Sequence, residues 1–85
     1  MNTKIYTVFD SQVKAYILPQ YYRNAGEATR AFTEAANDLK SNIGKYPAQY
    51  TMFEIGEFDD ETGQTNIYES KISLGLAQQY QTINQ

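Results

Sequence analysis

The chain has 85 residues and neither cysteine nor histidine, which excludes disulfide staples, thiol nucleophiles, zinc-thiolate sites and Ser-His or Cys-His machinery. A chain this short folds as one domain around one core and leaves little room for a deep cleft, so only carboxylate chemistry remains to an enzyme and no enzyme is expected. The net charge of −3 argues against a simple basic nucleic-acid binder, because such domains are strongly cationic.

That charge is unevenly spread. Residues 1–50 hold six basic side chains (Lys4, Lys14, Arg23, Arg30, Lys40, Lys45) against four acidic ones (Asp10, Glu27, Glu34, Asp38), a balance of +2. Residues 51–85 hold Lys71 against Glu54, Glu57, Asp59, Asp60, Glu61 and Glu69, a balance of −5. The acidity is therefore a property of the second half, and net charge alone does not settle the partner. No stretch has the apolar length of a membrane span, and the start MNTKIYTVFD lacks the apolar block of a signal peptide. A soluble protein of the cytoplasm, with no membrane partner, is the expectation.

In chain order, Lys4 to Phe9 is dense in β-branched and aromatic side chains and predicts a strand. Asp10-Ser11 is turn chemistry, and Val13 to Leu18 predicts a second strand that stops at Pro19, so the two form a hairpin. Asn24 and Glu27 stand at capping-box spacing and open a helix. Its apolar stripe is Ala28, Ala31, Phe32, Ala35, Ala36 and Leu39, its end is expected near Lys40, and Arg30 with Glu34 has the spacing of an i,i+4 ion pair. Ser41 to Gly44 reads as loop. Tyr50 to Phe58 predicts a third strand with Phe53 and Ile55 on one face, Asp59 to Gly63 a hairpin loop, and Thr65 to Lys71 a fourth strand. The expected fold is α+β, in the order β-β-α-β-β: a four-stranded antiparallel sheet with one helix packed on one face. Residues 1–75 form the domain, and 76–85 are a polar, Gln-rich tail that is either a short helix or mobile.

Two constellations carry functional readings. Eight Tyr and four Phe make the chain rich in rings, and Tyr6, Tyr16, Tyr21 and Tyr22 are interleaved with Lys4, Lys14 and Arg23. Rings that stack on bases beside cations that meet phosphates are the chemistry of sequence-tolerant single-strand binders. Lys4 shares a face with Tyr6, and Lys14 with Tyr16, but both pairs meet on one face only if the hairpin register pairs 4 with 16 or an even equivalent. The other reading of these rings is a core or a dimer contact with hydroxyls at the rim. The second constellation is the acidic run from Glu54 to Glu61. It lacks the ligand spacing of an EF-hand and any sign of a catalytic carboxylate pair, and reads as a solvated hairpin tip or, through Glu57, Asp59, Asp60 and Glu61, as a dock for a basic protein. Five scattered glycines give no phosphate-cradling loop, and neither metal nor cofactor is expected.

The pattern YTVFDSQVKAYILPQ, EATRAFTEAANDL, KYPAQYTMFEIGEFDDETG and SLGLA resembles the small non-structural protein of gokushovirus-type microviruses, the circular single-stranded DNA phages. The resemblance spans about residues 4 to 77. Its most specific pieces are Arg30-Ala31-Phe32 with Asn37-Asp38, and Pro47, Tyr50, Phe53, Gly56, Phe58, Asp59 and Gly63. It implies an early, non-capsid role in viral DNA synthesis in the host cytoplasm, by binding single-stranded DNA or contacting the replication complex, with no catalytic motif to carry over. Matching positions able to touch DNA are Tyr6, Tyr16 and Arg30, whereas Gln12 and Gln20 stand where Lys and Phe are expected and remove one cation and one ring. The expected partners are thus single-stranded DNA through Lys4, Tyr6, Lys14, Tyr16, Tyr21, Tyr22, Arg23 and Arg30, a phage or host replication protein, and a second copy of the chain covering the Tyr-rich sheet face.

Overall fold

The structure, a computed structural model, describes residues 2–82. Its first strand, β1 (Asn2–Asp10), turns back through residues 11–14, where Gln12 N–H donates to Asp10 Oδ1 (3.0 Å) and Lys14 N–H to the Asp10 carbonyl (2.8 Å). Lys14 closes this turn in the left-handed region at φ 57°. The turn therefore takes Val13 and Lys14 out of the expected second strand, because the backbone bond from Lys14 N–H to the Asp10 carbonyl closes it over four residues and not two.

The chain then returns along β1 as one strand in two pieces. Ala15–Tyr16 (β2) pairs with β1 at Phe9↔Tyr16, and Gln20–Tyr22 (β3) pairs with the same edge at Ile5↔Tyr21 and Lys4↔Tyr22. Between them Ile17, Leu18 and Pro19 stand opposite only Thr7 and Val8, a bulge of one extra residue. Pro19 has no N–H for the ladder, and the bulge is tied down by Ile17 N–H to the Val8 carbonyl (2.9 Å) and Thr7 Oγ1–H to the Ile17 carbonyl (2.7 Å).

On the other side of β1 lies β4 (Tyr50–Asp59), and beyond it β5 (Thr65–Leu76) at the sheet edge. All pairings are antiparallel. The expected α+β architecture with one long helix on one face is the one adopted, with the second strand split so that the sheet counts five strands. A second bulge falls in β4, where Ile5 pairs with Gly56 and Tyr6 with Glu54, leaving Ile55 unmatched. In β5, residues 68–71 all stand against that same Ile55, since Gly56 pairs with Ile67 and Glu54 with Ile72.

The helix α1 (Ala25–Ala36) begins as its sequence predicts, with Asn24 Oδ1 accepting from Glu27 N–H at 2.9 Å. Ala28, Phe32 and Ala36, one per turn, bury against Tyr6, Val8, Tyr50 and Met52 of the sheet. It stops three residues before Leu39, which stays exposed, because side chains take over the last carbonyls. Asn37 Nδ2 donates to the Thr33 carbonyl (2.8 Å) and Ser41 Oγ to that of Ala35 (2.8 Å). Ser41 then caps a one-turn helix, α2 (Asn42–Lys45), at Gly44 N–H (3.0 Å), where the sequence reads as loop. The i,i+4 ion pair that forms is Arg23–Glu27 (2.6 Å) and not Arg30–Glu34.

Of the two alternatives for the C-terminal segment, the described residues 76–82 hold the short helical one. Ala77 opens a 3₁₀ turn (Ala77–Gln79) and is fully buried, and the Tyr80 ring meets Phe32 edge-on at 5.7 Å while its hydroxyl donates to the Leu74 carbonyl. Gln81 Nε2 donates to the Ala36 and Gly44 carbonyls (2.8 and 3.0 Å), and Asn37 Oδ1 accepts from Thr82 N–H (2.8 Å). The polar side chains of this segment supply partners for the open ends of α1 and α2. Residues 83–85 of the expected tail lie outside the described residues. Gly75, at φ 106°, makes the entry to this segment: a Cβ there would run into the Gln79 carboxamide, whose oxygen accepts from Leu76 N–H at 3.0 Å.

The same sheet face also carries buried polar contacts. Tyr6, fully buried, donates from its hydroxyl to Glu54 Oε1 (3.0 Å), and Tyr68 donates to Glu54 Oε2 (2.7 Å). Burial, and then the Glu54 carboxylate, push the Tyr6 and Tyr68 phenols above their usual range.

These contacts set two expectations for stability. Tyr80→Ala removes a ring from Phe32 and a hydrogen bond from Leu74, and is expected to cost about 2 kcal/mol, lowering the thermal midpoint by roughly 8–16 °C; an unchanged midpoint would show that residues 77–82 are no part of the cooperative unit. The Tyr6 phenol holds its proton more tightly folded than unfolded, so the native state binds the extra proton once pH passes the unfolded value near 10. Its contribution is complete below that pH and is lost as pH rises. Denaturant midpoints should therefore fall on the alkaline side in the wild type and fall less in Tyr6→Phe, which at neutral pH loses about 1 kcal/mol with its hydrogen bond.

Candidate nucleic-acid interface

Alternation along β1 decides which expected residues meet. Lys4, Tyr6 and Val8 point to the helix side, whereas Ile5, Thr7 and Phe9 point to the open face. Tyr16 pairs with Phe9 and so lies on the open face, which separates it from Lys4 and Tyr6. The even register that would have gathered both Lys-Tyr pairs is not the one formed.

Most of the sequence-derived set is thereby dispersed. Tyr6 is in the core and has no face for a base. Tyr22, half-buried on the helix side, packs edge-on against Tyr6 at 5.7 Å. Lys4 Nζ sits 2.6 Å from Glu57 Oε2, and this hydrogen bond raises the lysine pKa. Arg23 donates through Nε and Nη2 to Glu27 (2.9 and 2.6 Å), which raises the guanidinium and lowers the carboxylate. Arg30 is exposed on α1, in the layer across the sheet from Tyr16. Lys14 is exposed in the turn beside β2.

What the open face assembles is a different set. Tyr16 lies against Phe9 (ring centroids 4.8 Å) and Phe53 (6.3 Å), and Tyr21 stands edge-on to Phe58 (6.2 Å). Tyr16 and Tyr21 are 48 % and 54 % exposed, so each ring touches phenylalanine and keeps about half of its surface open to solvent. Lys71 Nζ is 5.7 Å from the Tyr16 centroid and 5.9 Å from that of Phe53. Between the clusters runs a hollow of about 400 Å³, with Thr7 and Ile55 in its floor, Tyr16, Ile17 and Pro19 on one wall and Ile67, Glu69 and Lys71 on the other. A second hollow of about 550 Å³, beside Tyr46, Pro47 and Gln78, is on the polar side of the α2 region and gathers no cations beyond Lys45 among the described residues.

Sequence reasoning found Tyr16 and Tyr21 but missed Phe9, Phe53, Phe58 and Lys71 as their companions. Phe53 and Phe58 are five positions apart, as are Tyr16 and Tyr21, and a regular strand would send such residues to opposite faces. The bulges at Ile55 and at residues 17–19 each add one residue and bring both pairs to the same face.

The acidic hairpin makes contacts to β1 and within its own loop. Glu57 holds Lys4, and Asp59 Oδ1 accepts from Glu61 N–H (2.9 Å), a backbone contact that lowers the Asp59 pKa. Gly63 closes the loop at φ 75°, leaving Asp60 and Glu61 exposed at its tip. Among the described residues no group of three Asp or Glu side chains is placed to hold a metal ion, and no helix is long and apolar enough to cross a membrane.

No curated protein and no solved structure matches the chain. A family model described as phage ORF5 protein matches residues 3–80, from the second residue of β1 to the Tyr80 that closes on Phe32. The match thus takes in all of the sheet but its first residue, both helices and the docked C-terminal turn, and the chain belongs to the phage ORF5 protein family.

Proposed function

We propose that this phage protein is a non-structural, non-enzymatic protein of the host cytoplasm that assists viral single-stranded DNA synthesis by binding the strand without sequence preference. The observation that carries the reading is the placement of Tyr16 and Tyr21 on one open sheet face, each half-exposed and each braced by a phenylalanine. Every base has a π-face, so braced rings take any base, at about 1–3 kcal/mol per stacked base. The two rings flank positions 9 and 5 of β1, about 13 Å apart at the rise of an antiparallel strand. That span suits bases of one strand and not a duplex, whose base faces are already stacked. The resemblance to microvirus non-structural proteins supports the same assignment.

The acidity of the chain then shapes the binding. Among the described residues only Lys71 lies over the rings, with Lys14 exposed in the turn before β2, so stacking carries more of the affinity than phosphate contacts do. With about two phosphates neutralised, the slope of log affinity on log salt is about −1.4, a roughly sevenfold loss for a fourfold rise in salt. Fluorescence anisotropy with labelled oligo-dT and with duplex across a salt series reads this directly. Tyr16→Ala and Tyr21→Ala are each expected to weaken oligo-dT binding by about 5- to 150-fold while leaving the fold intact, because both rings lie outside the core. Absence of oligo-dT binding by the wild type at low salt would sink the reading.

A further inference from the structure

We infer that Lys71 is a displaceable cover on the stacking face: in the free protein its ammonium occupies the Tyr16 and Phe53 rings, and an arriving nucleotide takes the ring while the ammonium passes to its phosphate. The inference rests on the single-strand reading above and adds a binding residue and an order of contacts to it.

Three observations carry it. First, Lys71 belongs to the four-residue excursion of β5 opposite Ile55, which brings it to the rim of the hollow whose far wall is Tyr16. Second, its ammonium faces two rings at 5.7 and 5.9 Å, while among the described residues no carboxylate lies within ion-pair distance of it. Lys4 and Arg23, by contrast, are held by Glu57 and Glu27 at 2.6 Å and are committed to the fold. Third, Tyr16 is 48 % exposed and already carries the Lys71 ammonium over its ring, so a base that stacks on the covered face must displace that ammonium.

The exchange runs toward the bound state because each partner trades up. An exposed ammonium gains little from a ring face and more from a phosphate, and a ring gains more from a base than from a hydrated cation. Glu69 lines the same hollow, so Lys71 is the group there that attracts a phosphate and Glu69 the one that repels it.

The test uses the full chain, oligo-dT, Lys71→Gln, Lys71→Arg and, as a control in the helix layer, Lys40→Gln. Lys71→Gln is expected to flatten the salt slope by about 0.7, Lys71→Arg to restore it, and Lys40→Gln to leave it unchanged. By NMR, the Lys71 side-chain methylene protons should be ring-current shifted in the free protein and lose that shift when oligo-dT saturates it. A salt slope unchanged in Lys71→Gln, or a ring-current shift that survives saturation, would overturn the role of Lys71 while leaving single-strand binding in place. No binding of oligo-dT by the wild type would overturn both. A concentration-dependent Lys71 shift with dimeric sedimentation and no DNA binding would assign the face to a second copy and overturn both as well.

Discussion

Side chains on a β-strand alternate between faces, and a one-residue change of register inverts every one of them. The molecule depends on how it meets that constraint. Two pairs of rings sit at odd spacing, Tyr16 with Tyr21 and Phe53 with Phe58, and each pair is interrupted by one extra residue, in the Ile17–Pro19 segment and at Ile55. Remove either bulge and half of the rings would turn to the helix side, where Tyr6, Val8 and Met52 already fill the space under Phe32. The bulges are adjacent across β1, at Thr7–Val8 on one edge and Ile5–Tyr6 on the other, so one short stretch of the central strand accommodates both.

The same stretch explains how an 85-residue chain closes its other face with a helix of only twelve residues. Such a helix is about 18 Å long, against a molecule whose longest extent is 43 Å. Its small residues let it lie close to Val8 and Met52, and Ala77 with Tyr80 completes the cover at its C-terminal end. Within the same face the sheet also uses a buried phenol on a carboxylate, Tyr6 on Glu54 with Tyr68 as second donor. Ionic groups there are paired within the sheet, as Lys4 is with Glu57. The charge asymmetry along the sequence is thus partly cancelled in space, and the open face keeps a short supply of free cations beside a large supply of rings.

This balance separates two kinds of binding. A surface that worked through phosphates would need the cations that the fold has committed to Glu57 and Glu27. A surface that works through stacking needs rings held by neighbours and half open to solvent, which is how Tyr16 and Tyr21 stand. The edge strand β5 carries its own safeguard: the excursion at 68–71, with Glu69 and Lys71 in it, breaks the regular ladder that another strand would need to extend the sheet.

The sequence by itself determined the α+β class, the element order, the Asn24 cap of α1 and the ring-rich composition, because capping, periodicity and β-branched runs are local signals read from neighbouring residues. It did not determine the length of α1, since Ala36 is its end only because Asn37, Ser41 and Gln81 claim the last carbonyls. Nor did it reveal that a Gln-rich segment docks, because its polar groups find their partners more than thirty positions away. The face of each Tyr was the tertiary structure's decision. Register depends on which residues the bulges leave unpaired, a property of two strands together, and a shift of one residue sufficed to send Tyr6 into the core and Tyr16 to the surface beside Lys71.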